Sequence, residues 1–184
     1  VTSHPPLFDL EASRVLSFVS NLEAEGWMFD PTEEVSEIDN GGSVSCSALS
    51  LGIMWGCNPI MLIGQDLSFP GGSYYHADGV DGATQAVYDE DTKTWMLQGV
   101  SDDCSKILEG RSDGSGLHFE GTDIPGYFGG TVPTSADFAA FREWFGHTAL
   151  DHKGEVNFLN CTEGGAFIEG MEHIPLASAL RDLP

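Results

Sequence analysis

The sequence predicts an α/β fold with a mainly parallel central sheet and a β-hairpin insertion, on three observations. Val44 to Gly56 is apolar nearly all round, the pattern of a helix buried between layers. Ile60-Met-Leu-Ile63 follows as the most hydrophobic run in the chain, which suits a strand covered on both faces of a parallel sheet. Three polar or Gly-rich segments, 40–43, 64–78 and 160–165, follow apolar strands or open helices, as rim loops of such a sheet do.

Taken in order, Arg14 to Val19 is short, β-branched and apolar, and reads as a strand. Asn21 to Glu37 is acidic, with a turn at Asp30-Pro31. Asn40-Gly-Gly-Ser43 opens the apolar helix, Ser43 is suited to its N-cap, and Asn58-Pro59 stops it. Ile60 to Ile63 is expected as a central parallel strand. It runs into Gly64-Gln-Asp66 and then a Gly- and Tyr-rich loop over 70–82. Thr84 to Val100 reads as a hairpin turning at Asp89-Glu-Asp-Thr92, and Leu117 to Phe119 as a further strand. Gly126 to Pro133 reads as a Gly-rich loop. Thr134-Ser135 then caps an amphipathic helix in which Phe138, Phe141, Trp144, Phe145 and Ala149 recur at three and four. Val156 to Leu159 is a strand ending in Asn160-Cys-Thr-Glu-Gly-Gly165. Glu172-His173 offers a dyad, but the favoured reading is a solvated approach to a terminal helix over 175–183, with Pro175 at its first position.

Seven basic side chains against 29 acidic ones leave a net charge of −22 over 184 residues. Such a chain repels phosphate backbones and anionic lipid, so the expected partners exclude nucleic acid and membrane surfaces. With 41% hydrophobic residues it buries a core rather than staying disordered. No apolar run approaches the roughly 18 residues of a membrane span, and Val1 to Leu10 has two prolines and no basic start, so a cytoplasmic location is expected. The cysteines, at 46, 57, 104 and 161, form no C-x-x-C pair and read as free structural thiols, Cys46 and Cys57 as small core residues. No metal site is expected.

The rim rule brings Gln65, Asp66 and Asn160 to Gly165 to one edge of the sheet. Gly41-Gly42-Ser43, before a helix N-terminus, can present backbone N–H groups to a phosphate. Asp66, directly after a buried strand, can hold a ribose hydroxyl, a sugar or Mg²⁺; the plainer reading is a carboxylate that satisfies loop N–H groups. In the triplet Tyr74-Tyr75-His76, the phenol of Tyr75 can donate to a leaving phosphate and the imidazole of His76 can shuttle a proton; otherwise it is a packed aromatic loop. Asn160, Thr162 and Glu163 can read a base or ribose, with Gly164 and Gly165 permitting close backbone approach; a tight turn is the alternative.

These residues carry a resemblance. Gly41-Gly-Ser-Val44, Gly56-Cys-Asn-Pro-Ile60, Leu62-Ile-Gly-Gln-Asp-Leu67, Gly129-Gly-Thr-Val-Pro-Thr134 and Asn160-Cys-Thr-Glu-Gly-Gly-Ala166, in that order, resemble the motifs of the motility accessory factor / 6-hydroxymethylpterin diphosphokinase-like family. The ordered set, which runs the length of the chain, is what makes the resemblance specific. It implies a Rossmann-like three-layer domain, akin to that of sialyltransferases. Family members open with a Gly-x-Gly-Pro-Ser-type loop that this chain lacks, so residues 1–184 are expected as a single domain truncated on its N-terminal side. The catalytic His of the sialyltransferases would fall near Gly129 or Gly130, so that acid/base chemistry is not carried over.

The resemblance implies a transferase using a nucleotide-activated donor, foremost a glycosyltransferase passing a nonulosonic, sialic-acid-like sugar from a CMP-sugar without a cofactor. A diphosphokinase acting on a hydroxymethylpterin with ATP and Mg²⁺, and a non-catalytic binding module, are the alternatives. Asp66, Tyr75 and His76 are the expected catalytic residues. Gly41, Gly42, Ser43, Gln65, Asn160, Thr162, Glu163, Gly164 and Gly165 are the expected nucleotide- or substrate-binding set, and a homo-oligomer is expected.

Overall fold

The computed structural model describes residues 19–20, 37–69, 85–89, 94–98, 118–119 and 121–181. The chain divides into two compact units, Val1–Asn40 and Gly41–Pro184. In the first, β1 (Val19–Ser20) pairs in parallel with β2 (Glu37–Ile38), and Ile38 is buried. The rest of the strand expected from Arg14, and the acidic segment up to residue 36, lie outside the described residues.

The second unit opens with α1 (Val44–Met54), capped as expected by Ser43, whose Oγ accepts the Cys46 N–H. It ends at Met54, with Trp55 as C-cap and Gly56 in the left-handed region, ahead of the expected stop at Asn58-Pro59, and the Asn58 carboxamide bridges to another strand's approach. Its Nδ2 donates to the Glu155 carbonyl, and its Oδ1 accepts the Asn157 N–H. The expectation of a helix buried on every side needs correction. Cys46, Ser47 and Leu49 are buried, but Val44 is 87% exposed and Met54 and Trp55 are also exposed. Only one face of α1 meets the core; apolar composition all round does not put a layer on both sides. Cys57, beyond the helix end, is exposed rather than a core residue.

The parallel sheet is built from β3 (Ile60–Leu62), β9 (Phe158–Asn160) and β10 (Glu172–His173), in the order β10-β9-β3. Ile60 pairs with Phe158 and Leu62 with Asn160, so both strands end at one rim. The Ile60–Ile63 run is parallel as expected, but among the described residues β9, not β3, is the central strand, and Ile63 is 58% exposed. β10 was not anticipated. Glu172-His173 forms a parallel strand on β9 instead of a solvated helix approach, because its two residues complete β9's second edge. The fold class is therefore α/β, although these three strands do not by themselves establish a Rossmann-like three-layer order.

The hairpin insertion is present: β4 (Gln85–Asp89) and β5 (Thr94–Gln98) are antiparallel, and β6 (His118–Phe119) adds to β5. A second hairpin, β7 (Gly121–Pro125) with β8 (Thr131–Ser135), flanks the Gly-rich segment. The expected loop over 126–133 is thus confined to a turn at 126–130. Pro125 and Pro133 hid the strands, since proline is admitted at strand ends and edges. Ser135 Oγ accepts from Phe138 N and caps α2 (Ala136–Asp151), whose Phe145 and Ala149 are buried. They pack with Cys46, Leu49, Leu62, Ile124, Phe158, Ala166, Ile168 and Met171 in one hydrophobic core, edged by Phe138, Phe141 and Trp144. The terminal helix is shorter than expected, α3 (Leu176–Ala179) with Pro175 as its N-cap. Among the described residues no helix is long and apolar enough to cross a membrane.

Candidate functional site

The carboxyl ends of β3 and β9 are laced together. Cys161 N donates to the Leu62 carbonyl at 2.8 Å, Gln65 N to Thr162 Oγ1 at 3.1 Å, and Ala166 N to the Asp66 carbonyl at 2.7 Å. Thr162 N in turn donates to Asn160 Oδ1 at 3.1 Å. Parallel pairing forces this closeness, because two strands that run the same way deliver their following loops to the same edge. The loop folds over itself at Glu163 and Gly165, both with left-handed backbone (φ 61° and 69°). At Gly165 a Cβ would overlap the main chain of Asp66, so only glycine fits.

Asn160 anchors the rim. It is fully buried; its carbonyl accepts from Ile174 N and from the Tyr127 hydroxyl, each at 3.2 Å. Its Nδ2 has no acceptor among the described residues. The turn between β7 and β8 is tied to the same loop: Tyr127 N donates to the Gly165 carbonyl, Phe167 N to the Pro125 carbonyl, and Gly126 bridges Ala166. Burial raises the Tyr127 phenol above its ordinary pKa, with Cys161 and Glu163 nearby adding to the effect, so it stays a donor. Burial, then Glu163 and Glu172, raises the Cys161 thiol; it is protonated and unsuited to nucleophilic work.

His173 is fixed from both sides. Its Nε2 accepts the Ile168 N–H at 3.1 Å, which leaves Nδ1 to donate to the Met171 carbonyl at 3.1 Å. That assigns the neutral Nδ1–H tautomer. The ring stacks on Phe167 at 4.3 Å and meets Tyr127 edge-on at 5.0 Å. Burial lowers its pKa, partly offset by the bond to Met171.

Of the expected catalytic residues Asp66, and of the expected binding set Gln65, Asn160, Thr162, Gly164 and Gly165, come together here. Glu163 stems from the same loop, but its Oε1 accepts the Leu176 N–H at 2.9 Å and so steadies the start of α3. Gly41, Gly42 and Ser43 sit elsewhere in the packing. A Cβ on Gly41 would fall 2.6 Å from Trp144 Cδ2, and one on Gly42 3.1 Å from Phe141 Cε1. Ser43 Oγ is taken up by Cys46 N, Cys46 Sγ and Ser45 Oγ. Tyr75 and His76 lie outside the described residues. Sequence reasoning missed Tyr127, Phe128 and Phe167; for the first two the signal was an aromatic pair set between glycines at 126–130, while His173, a candidate dyad partner of Glu172, has its ring nitrogens engaged by Ile168 N and the Met171 carbonyl. Among the described residues no group of three or more His, Cys, Asp or Glu could hold a metal ion.

No protein-family description matches the chain, and no curated protein matches it. A solved structure, the MAf glycosyltransferase from Magnetospirillum magneticum AMB-1, is similar at 20% identity and a TM-score of 0.47 over 84% of this chain. The match takes in 17% of that protein, so this chain spans less than a fifth of its length. A likeness this distant carries no argument about the site.

Proposed function

We propose that the chain carries the donor-binding rim of a transferase that uses a nucleotide-activated donor, and that the donor is a CMP-linked nonulosonic sugar. The observation that supports it is the convergence of the β3 and β9 ends, where Gln65, Asp66, Asn160, Thr162 and Gly165 are cross-bonded into one edge. In open α/β sheets such an edge is where nucleotides bind. On this reading Asp66 holds a ribose or sugar hydroxyl through its carboxylate, Tyr75 donates to the leaving phosphate, and His76 moves the proton. A donor carrying a triphosphate calls for several cations, and the whole chain has seven basic residues, which favours a monophosphate-linked sugar over ATP with Mg²⁺. The same reading proposes a cytoplasmic, homo-oligomeric protein.

Calorimetric titration with CMP, CTP and ATP tests the proposal. Cytidine nucleotides should bind without added metal. Mg²⁺-dependent binding of ATP alone would assign a diphosphokinase, and silence with all three a non-catalytic module. Asp66→Ala should abolish CMP binding while circular dichroism shows the protein still folded, as the main-chain bond from Ala166 N to the Asp66 carbonyl survives the substitution. Unfolding of that variant would make Asp66 a structural residue.

A further inference from the structure

We infer that Phe128 is the nucleobase clamp of this rim, the ring on which the pyrimidine of the donor stacks; the inference rests on the donor-site reading above. Phe128 is 81% exposed, although it sits on a turn held rigidly to the rim loop. Tyr127 N donates to the Gly165 carbonyl and the Tyr127 hydroxyl to the Asn160 carbonyl. The turn that carries Phe128 is therefore anchored to the rim loop through its neighbour Tyr127, and the ring stands beside that loop.

The ring also ends a continuous aromatic row. Phe128 meets Tyr127 edge-on at 4.8 Å, Tyr127 meets His173 at 5.0 Å, and His173 stacks on Phe167 at 4.3 Å. The interior of the row is hydrogen-bonded, whereas the outer ring, Phe128, presents its surface to solvent. A single exposed apolar side chain is ordinary on a protein surface. An exposed ring braced by such a row is less so.

Side-chain chemistry points to the base rather than the phosphate as the group that Phe128 holds. Of the described basic side chains, Arg142 donates to the Phe167 carbonyl and Arg181 to Ser178 Oγ. Glu163 lies close enough to Tyr127 to raise its pKa. The exposed phenyl ring has no donor to offer a phosphate, while the flat face of a base stacks on an aromatic ring without needing a cation.

Three proteins and two probes test it by calorimetry: wild type, Phe128→Ala and Phe128→Trp, each with CMP and with ribose 5-phosphate, which lacks the base. Phe128→Ala should weaken CMP binding at least ~5-fold, Phe128→Trp should retain it, and ribose 5-phosphate should not distinguish the three. Circular dichroism should show all three folded, since the ring is exposed. Equal CMP affinity in wild type and Phe128→Ala overturns the clamp and leaves the donor site standing. So does an equal loss for both probes, which would mean that the ring shapes the loop instead of touching the base. Wild-type silence toward CMP, CTP and ATP overturns both readings.

Discussion

The turn before α1 and the loop after β9 look alike in sequence, each a pair of glycines beside hydroxyl side chains. They are built differently. In the first, Gly41 is tucked under the indole of Trp144, and the Ser43 hydroxyl is consumed within three residues by Cys46 and Ser45. The bonds of the Ser43 hydroxyl are local, and they serve to start a helix. In the second, the bonds join residues almost a hundred positions apart, Gln65 to Thr162 and Leu62 to Cys161. Among the described residues they leave one buried amide unanswered, at Asn160 Nδ2. Glycines at a helix start thus serve helix-on-helix packing here, whereas glycines at a strand end let two loops cross. The second arrangement ties the ends of β3 and β9 into one edge.

The sharpest way to break this contrast is to add a methyl group to each turn. Gly165→Ala places a Cβ into the main chain of Asp66 at a left-handed backbone position, and neither main chain can yield without separating the strand ends. We expect a loss of about 3–5 kcal/mol in denaturant unfolding. Gly41→Ala also sits at positive φ, but the nearest atoms belong to the Trp144 ring, with Cys46 Cβ at 2.8 Å. A ring can tilt where a backbone cannot, so about 2 kcal/mol is expected. Equal losses in the two variants would show that the two turns are structurally equivalent.

A smaller effect tests the long-range bonds themselves. Thr162→Val keeps the shape but removes the oxygen that accepts from Gln65 N. The stranded amide should cost about 1–2 kcal/mol, and Thr162→Ser should recover most of it. If Thr162→Ser is as unstable as Thr162→Val, the methyl group and not the hydroxyl was holding the rim.

Much of the frame was legible because it follows from local rules. Ser43 and Ser135 cap the helices they were expected to cap, the hairpin at 84–100 forms, and β3 and β9 are parallel with their ends together. The errors share one physical origin: local pattern does not report what lies on the far side of an element. Val44 and Met54 are apolar yet exposed, because only one face of α1 meets a layer. Glu172-His173 looked solvated and became a strand, because the edge it completes belongs to residues 158–160. The same limit hid half of the candidate site. Asn160 and Thr162 were visible as polar residues after a strand. Tyr127 and Phe128 reach them only through a hairpin whose strands contain prolines.

The smallest effect separates the two regions by pH. In the rim, Ile168 N–H is held by the unprotonated Nε2 of His173, and protonation would set one donor against another. In the α1 turn, Cys46 N–H is held by a hydroxyl that does not titrate in this range. The folded-state pKa of His173 lies below the ordinary value of 6.5, because burial disfavours the charged ring. On acidification the unfolded chain therefore takes up the proton first. The stabilising contribution is complete above about pH 6.5, declines as the pH falls below it, and is gone once the pH passes the folded-state pKa. In NMR spectra recorded from about pH 7.5 downward, the Ile168 amide should shift with a midpoint below 6.5, whereas the Cys46 amide should stay flat through that step. His173→Gln should remove the Ile168 step and flatten the fall in melting temperature over the same interval. A midpoint at or above 6.5, or a step of the same size at both amides, would mean that His173 is not the group that makes the rim pH-sensitive.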